Sequence, residues 1–269
     1  MKESQANRKR RGFGISAFPI IVLCFILALA VYHFVFGNPS NFMNNDPNNH
    51  PLPGNLLGTI YKGGMIVPVI QTLLFTVLTL SVERYIALRK TRGRKGLQDF
   101  VWNVKLLLDD GNIEGARKAC EEQRGTVANV VMASLSKFDA INSNPNFTME
   151  QKQLAVQKEL DEATMLELPA MEQNLPVIAT ITTLGTLMGL LGTVLGMIRS
   201  FAALSSAGGT DSIALSTGIS EALVNTAFGI LTGACAVIAY NYFTSKIDGI
   251  THSIDEIGSY IVQTFTVRH

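Results

Sequence analysis

The chain has 269 residues, 47% of them hydrophobic and only 16% charged, with a mean hydropathy of +0.25. That balance leads away from a soluble domain and toward a membrane protein. The net charge of +1 leaves no basis for a nucleic-acid partner, and it conceals two basic clusters, RKRR at 8–11 and ERYIALRKTRGRK at 83–95.

Residues 1–14 form a basic N-terminus, and 15–36 are an apolar run interrupted only by His33. The 22 positions of this run exceed the roughly 7–15 of a cleavable signal core, and no clean small-x-small site follows, so it reads as an uncleaved anchor. Three more apolar runs follow, and each matches the roughly 20 residues that cross about 30 Å of hydrocarbon. The predicted spans are 15–36, 64–88, 177–204 and 213–243. They must be helices, because lipid offers exposed backbone groups no partners. Placing both basic clusters on the cytoplasmic side puts both termini inside.

The outer segment 37–63 is rich in Asn, Pro and Gly; its first half reads as irregular, and NLLGTIYKG as a short interfacial helix. Residues 89–176 read as a cytoplasmic helical domain. Leu97, Val101, Val104 and Leu108 recur at helical spacing, and Asp110-Gly111 stops that helix. Thr148 caps the charged helix beginning near Met149, and Pro169 and Pro176 bend or end it before the bilayer. A polar loop at 205–212 joins the third and fourth spans into a hairpin. Beyond the last span, residues 244–269 form a C-terminal helix whose Ile247, Ile250, Ile254, Ile257 and Ile261 make a packing stripe. Cys24, Cys120 and Cys235 have no disulfide or zinc spacing and read as packing residues, and the four histidines form no metal signature. No cofactor is expected. With no nucleotide loop and no catalytic triad either, the chain does not read as an enzyme.

Two helices carry the chemistry. At about 100° per residue, Thr182, Thr186, Gly189, Thr193, Gly196 and Ser200 fall within about 40° on either side of one line along the helix. They form a ribbon of hydroxyls and glycines able to offer partners to water or a proton carrier. Gly185/Gly189, Gly192/Gly196 and Gly229/Gly233 are GxxxG pairs that suit close helix packing. In the fourth span, Thr217, Glu221, Asn225, Phe228, Thr232 and Cys235 share a face. Glu221 is the only charged residue between Asp211 and Lys246. A carboxylate in hydrocarbon costs on the order of 2.5–3.5 kcal/mol, so such groups face a protein interior or a wet cavity and mark ion paths. The alternative is a structural Glu bonded to a neighbouring helix.

The sequences LPVIATITTLGTLMGLLGTVLGMIRSF and GISEALVNTAFGILTGACAVIAYN resemble the ExbB/TolQ/MotA proton-channel family, ExbB most of all. The likeness rests on the GLLGTVLG core at 189–196, the ISEALVNTAFG core at 219–229 and the short loop between them. It extends more weakly over 64–265. The apolar runs predict an all-α polytopic membrane protein with four transmembrane helices and a large helical cytoplasmic domain, and the resemblance implies that it is oligomeric around a central pore as a pentamer. It further implies an ExbD-like single-span partner dimer in the pore, a TonB-like protein as recipient of the work, and the bacterial inner membrane as location. It assigns the family's pore threonines to Thr193 and Thr226 and its intramembrane glutamate to Glu221; the helical wheel adds Thr182, Thr186 and Asn225 as candidates along the same path. A TolQ-like envelope motor, a motility stator, and a passive channel or scaffold are the competing readings.

The chain departs from the family in its extra first span, in Gly185-Thr186 where the family has Ala/Ser-Pro, in Cys235 where it has proline, and in Arg199, expected to snorkel to the interface. Thr226 lies about 140° around the helix from Glu221, so the two cannot face one narrow lumen. Thr226 is expected with Ala222, Gly229 and Gly233 toward a partner helix, and Glu221 toward the third span or a neighbouring subunit.

Overall fold

The computed structural model describes residues 16–142, 147–206 and 212–267. The basic cluster at 8–11, the middle of the 205–212 loop and most of the NSNPNFT loop lie outside the described residues. The fold is all-helical, with no strand among the described residues. In chain order the helices are α1 (Ala17–Val31), α2 (Leu56–Lys62), α3 (Ile66–Thr91), α4 (Leu97–Asp109), α5 (Ile113–Gln123), α6 (Thr126–Asn142), α7 (Met149–Glu172), α8 (Leu175–Ser206) and α9 (Ser212–Val267). Four stretches are long and apolar enough to cross a membrane: Ala17–Phe36, Ile66–Thr91, Leu175–Ala202 and Gly218–Thr264.

The chain divides into two compact units, one of residues 16–82 with 174–242 and one of 83–173 with 243–267. In the first, α1 winds its last turn, Tyr32–Phe36, as a π-helix. The side chain of Asn41 donates to the Val35 and Phe36 carbonyls at 2.9 and 3.1 Å, and Asn55 donates to Asn41 Oδ1 at 3.1 Å. Tyr32 stacks on Tyr61 and donates its hydroxyl to the Tyr61 carbonyl at 2.9 Å. The segment that reads as irregular thus has no long element before α2, yet its asparagines supply the hydrogen bonds that regular structure would otherwise make.

In the same unit α8 and α9 meet along a seam of glycines. A Cβ on Gly189 would stand 2.9 Å from the Asn225 carbonyl oxygen and from Gly229 Cα, and one on Gly229 would stand 2.6 Å from Gly189 Cα and the Gly185 carbonyl oxygen. Real Cβ atoms do not approach backbone that closely, so only glycine permits this separation. Helix α8 runs through Gly185-Thr186, and α9 through Cys235, without interruption.

In the second unit, the faces of α4 and α6 are buried together with the α9 isoleucines; Val104, Leu135, Ile254, Ile257 and Ile261 are fully excluded from solvent. A Cβ on Gly258 would meet Leu160 Cδ2 at 2.4 Å, so α9 also lies tightly on α7. The start of α7 is a capping box: the Gln151 N–H donates to Thr148 Oγ1 at 3.3 Å, and the Thr148 N–H to Gln151 Oε1 at 3.0 Å. Pro169 lies inside α7, and the chain leaves that helix at Gln173 and Asn174, the latter at φ +65°. Pro176 falls in the first turn of α8, where its missing N–H costs nothing.

Arg84 holds the end of α7. Its guanidinium is wholly buried and donates twice to Glu83, at 2.6 and 2.5 Å, and from Nη1 to the Ala170 and Met171 carbonyls at 3.2 and 3.4 Å. The last carbonyls of a helix have no partners of their own, and a cation is the group that suits them best. Burial also acts on Cys120, whose thiol is pushed up to about 12, with Glu121 adding to the effect.

Arg84→Met removes the buried cation from Glu83 and from the Ala170 and Met171 carbonyls and is expected to cost about 3–5 kcal/mol, read as a lowered melting temperature of the purified protein. Leucine at Gly189 or Gly229 forces the seam apart and is expected to destabilise by about 1–3 kcal/mol or more, checked by thermal unfolding in detergent. The thiolate is the reactive form of cysteine, so at pH 8 a maleimide is expected to label Cys120 only after denaturation.

Candidate functional site

The glycine seam fixes which hydroxyls of the hairpin can meet. Thr193 of α8 and Thr226 of α9 are both half-buried, and their Oγ1 atoms form a hydrogen bond across the seam. Each also reaches a carbonyl of the opposite helix: Thr226 Oγ1 donates to Gly189 O at 3.2 Å, and Thr193 Oγ1 lies 3.4 Å from Ala222 O. A hydroxyl has one proton and two lone pairs. The pair therefore has alternative hydrogen-bond arrangements, between the two hydroxyls and onto the Gly189 and Ala222 carbonyls, so a hydroxyl proton can be redirected by rotation of a side chain.

The remaining hydroxyls are engaged locally. Thr182 donates to Ile178 O, Thr186 to Thr182 O, Ser200 to Gly196 O and Thr232 to Phe228 O, each four residues back. Thr186 is exposed, and its hydroxyl lies 2.7 Å from where a Cβ on Gly233 would be. Gly192 packs on the Asn225 side chain and Gly196 on Ala222. The ribbon seen on the helical wheel is thus the hairpin's contact face, and the cross-helix hydroxyl contact on it is the Thr193–Thr226 pair.

Glu221 and Asn225 point elsewhere. Asn225 is buried, and its Nδ2 donates to the Gly63 carbonyl at 3.0 Å, tying α9 to the turn between α2 and α3. Its Oδ1 has no partner among the described residues. Asn225 and the half-buried Glu221 line a cavity of about 250 Å³ together with Lys62, Arg199, His50 and Ser200. Glu221 therefore shares its cavity with two cationic side chains. The exposed guanidinium of Arg199 lies over Gly64, whose φ of +80° and absent side chain leave room for it.

Sequence reasoning does not single out Lys62 and His50 as companions of Glu221. The only signal is that Lys62 is the last charge before the second span. It also passes over Gln71, Thr72 and Thr76, buried polar residues of α3. Gln71 Oε1 and Thr76 Oγ1 have no partner among the described residues, whereas Thr72 Oγ1 donates to Pro68 O at 2.6 Å. No group of acidic, His or Cys side chains suited to a metal ion occurs among the described residues.

Comparison with known proteins puts this hairpin in context. The profile of the MotA/TolQ/ExbB proton channel family matches residues 122–256, half of the chain. The Tol-Pal system protein TolQ of Pseudomonas aeruginosa is 26% identical over 184 residues, covering 66% of this chain and 79% of that protein. TolQ of Haemophilus influenzae is 31% identical over 122 residues, covering 45% of this chain and 49% of that protein. The biopolymer transport protein ExbB of Pseudomonas putida is 32% identical over 92 residues, 34% of this chain and 28% of that protein. This chain thus spans about half the length of the Haemophilus relative and more of the Pseudomonas aeruginosa one. The matched region holds the hydroxyl-bearing hairpin and two of the four apolar helices, and the chain belongs to the MotA/TolQ/ExbB proton channel family.

Proposed function

We propose that this protein is an ExbB-like subunit of an inner-membrane motor driven by the proton-motive force. It assembles as a pentamer around a dimer of an ExbD-like single-span partner and passes the resulting movement to a TonB-like protein. Its termini, and the unit of residues 83–173 with 243–267, lie on the cytoplasmic side, as the basic cluster at 83–95 favours. The observation that carries this reading is the Thr193–Thr226 hydroxyl pair at the glycine seam, in a chain whose family is that of proton channels.

Each elementary charge crossing 100 mV releases about 2.3 kcal/mol, so several protons per step supply the energy of a mechanical displacement. The hydroxyl pair passes a proton on. Glu221, in a cavity with Lys62 and Arg199, exchanges one with water at the margin of the path. Thr182 and Thr186 continue the polar lining along α8, and Asn225 joins Glu221 at its margin. The glycines keep α8 and α9 close, so that the pair stays in contact as a partner helix turns against it.

A Tol-type envelope motor is the second reading. It draws support from alignment length, 184 residues with the Pseudomonas aeruginosa TolQ against 92 with the Pseudomonas putida ExbB. Co-purification decides between them: a TonB-type partner supports the first, a Tol-type partner the second, and a peptidoglycan-binding partner a motility stator. Reconstitution of the chain alone tests the passive channel, for which large proton leakage is expected without any partner.

Glu221→Ala, and the paired Thr193→Ala/Thr226→Ala change, are expected to lower energised uptake about tenfold or more, the factor that about 1.4 kcal/mol on a limiting barrier represents. Protein levels stay unchanged. Full uptake in either variant overturns the assignment of that site.

A further inference from the structure

A second, larger cavity of about 750 Å³ lies wholly within the unit of residues 83–173. Four cations line it, Arg89 and Lys90 on the last turn of α3, Arg94 after it and Arg124 between α5 and α6, against the single carboxylate of Glu167. Arg89, Arg94 and Arg124 form no ion pair with any described residue, and all three are exposed.

Their convergence is built into the fold. The buried side chain of Gln123 donates from Nε2 to the Arg92 and Lys95 carbonyls, both at 3.0 Å, and accepts at Oε1 from the Lys95 N–H at 3.1 Å. The Arg94 N–H donates to the Gln123 carbonyl at 2.9 Å. Gly125, at φ +100°, brings its backbone so close to Thr91 that a Cβ there would stand 2.4 Å from the Thr91 carbonyl oxygen. Like charges held together without partners raise the energy of the empty site, and an anion relieves it.

We propose that this cavity binds a phosphate-bearing anion, the headgroup of an anionic glycerophospholipid in the leaflet on the cytoplasmic side. Three observations favour a lipid over free phosphate. Tyr85 and Ile86, both about half exposed, add an amphipathic and an apolar wall to the cavity. Arg89 lies seven residues beyond Val82, where the uncharged run of the second span ends. At about 1.5 Å per residue that is roughly 10 Å along α3, within arginine reach of the headgroup layer. Basic pockets at this depth recognise anionic headgroups by the same charge complementarity. The inference rests on the orientation proposed above, but its test reads lipid and not proton flow.

The test is native mass spectrometry of the purified full-length protein in detergent, supplemented in separate arms with phosphatidylglycerol, phosphatidylcholine or inorganic phosphate. Phosphatidylglycerol is expected to stay bound and phosphatidylcholine to leave. An Arg89→Gln/Arg94→Gln/Arg124→Gln variant with unchanged melting temperature is expected to bind phosphatidylglycerol about tenfold more weakly or worse, because each basic group near the headgroup contributes to the attraction. The Thr193→Ala/Thr226→Ala protein is expected to bind it like the parent, whatever becomes of its uptake. Equal retention of the two lipids, retention unaffected by the triple change, or binding of inorganic phosphate without lipid each overturns the proposal.

Discussion

The separation of α8 from α9 is the constraint on which the site depends. It is set by the absence of side chains at Gly185, Gly189, Gly192, Gly229 and Gly233, which lets backbone meet backbone where hydrocarbon provides no hydrophobic drive between helices. At this distance a threonine on one helix reaches a threonine on the other, and also the opposite carbonyls. A wider seam would leave Thr193 only its bond to Gly189 O of its own helix, the arrangement that Thr182, Thr186 and Thr232 have now. The close packing and the polar chemistry of the hairpin therefore have one cause.

The unit of residues 83–173 with 243–267 is organised on different physics. Burial of α4, α6 and α9 side chains drives its assembly. Its polar fastenings are few and deeply placed. Arg84 closes the end of α7, and Gln123 fastens the turn after α3 to the end of α5. Exposed pairs such as Lys95–Glu122 add little by comparison.

What the sequence revealed depended on the range of the interaction. Local periodicity sufficed for the helices: the α4 face of Leu97, Val101, Val104 and Leu108, the stop at Asp110-Gly111, the Thr148 cap and the α9 isoleucines follow from residues within a few turns of one another. The helical wheel likewise separates Thr226 from Glu221. It does not say what each face meets, so the ribbon's hydroxyls read as partners for water or a proton carrier and its glycines as packing positions. Contacts between distant segments left no local trace. Asn225 with Gly63, Arg84 with the α7 carbonyls and the convergence of Arg89, Arg94 and Arg124 all join positions with no shared periodicity. An arginine directly after a carboxylate, as Arg84 follows Glu83, reads as surface charge, yet here it is among the most deeply enclosed side chains.

The side chain of Asn225 is wedged between the Gly192 backbone of α8 and the carbonyl of Gly63, the residue that ends α2. One amide thus fastens three stretches of chain, like a pin through three leaves of a hinge. The amide thereby links α9 to the Gly63–Gly64 corner and, through the Tyr61–Tyr32 stack, to the last turn of the first helix. The first helix is therefore joined to the hairpin by a continuous run of specific contacts.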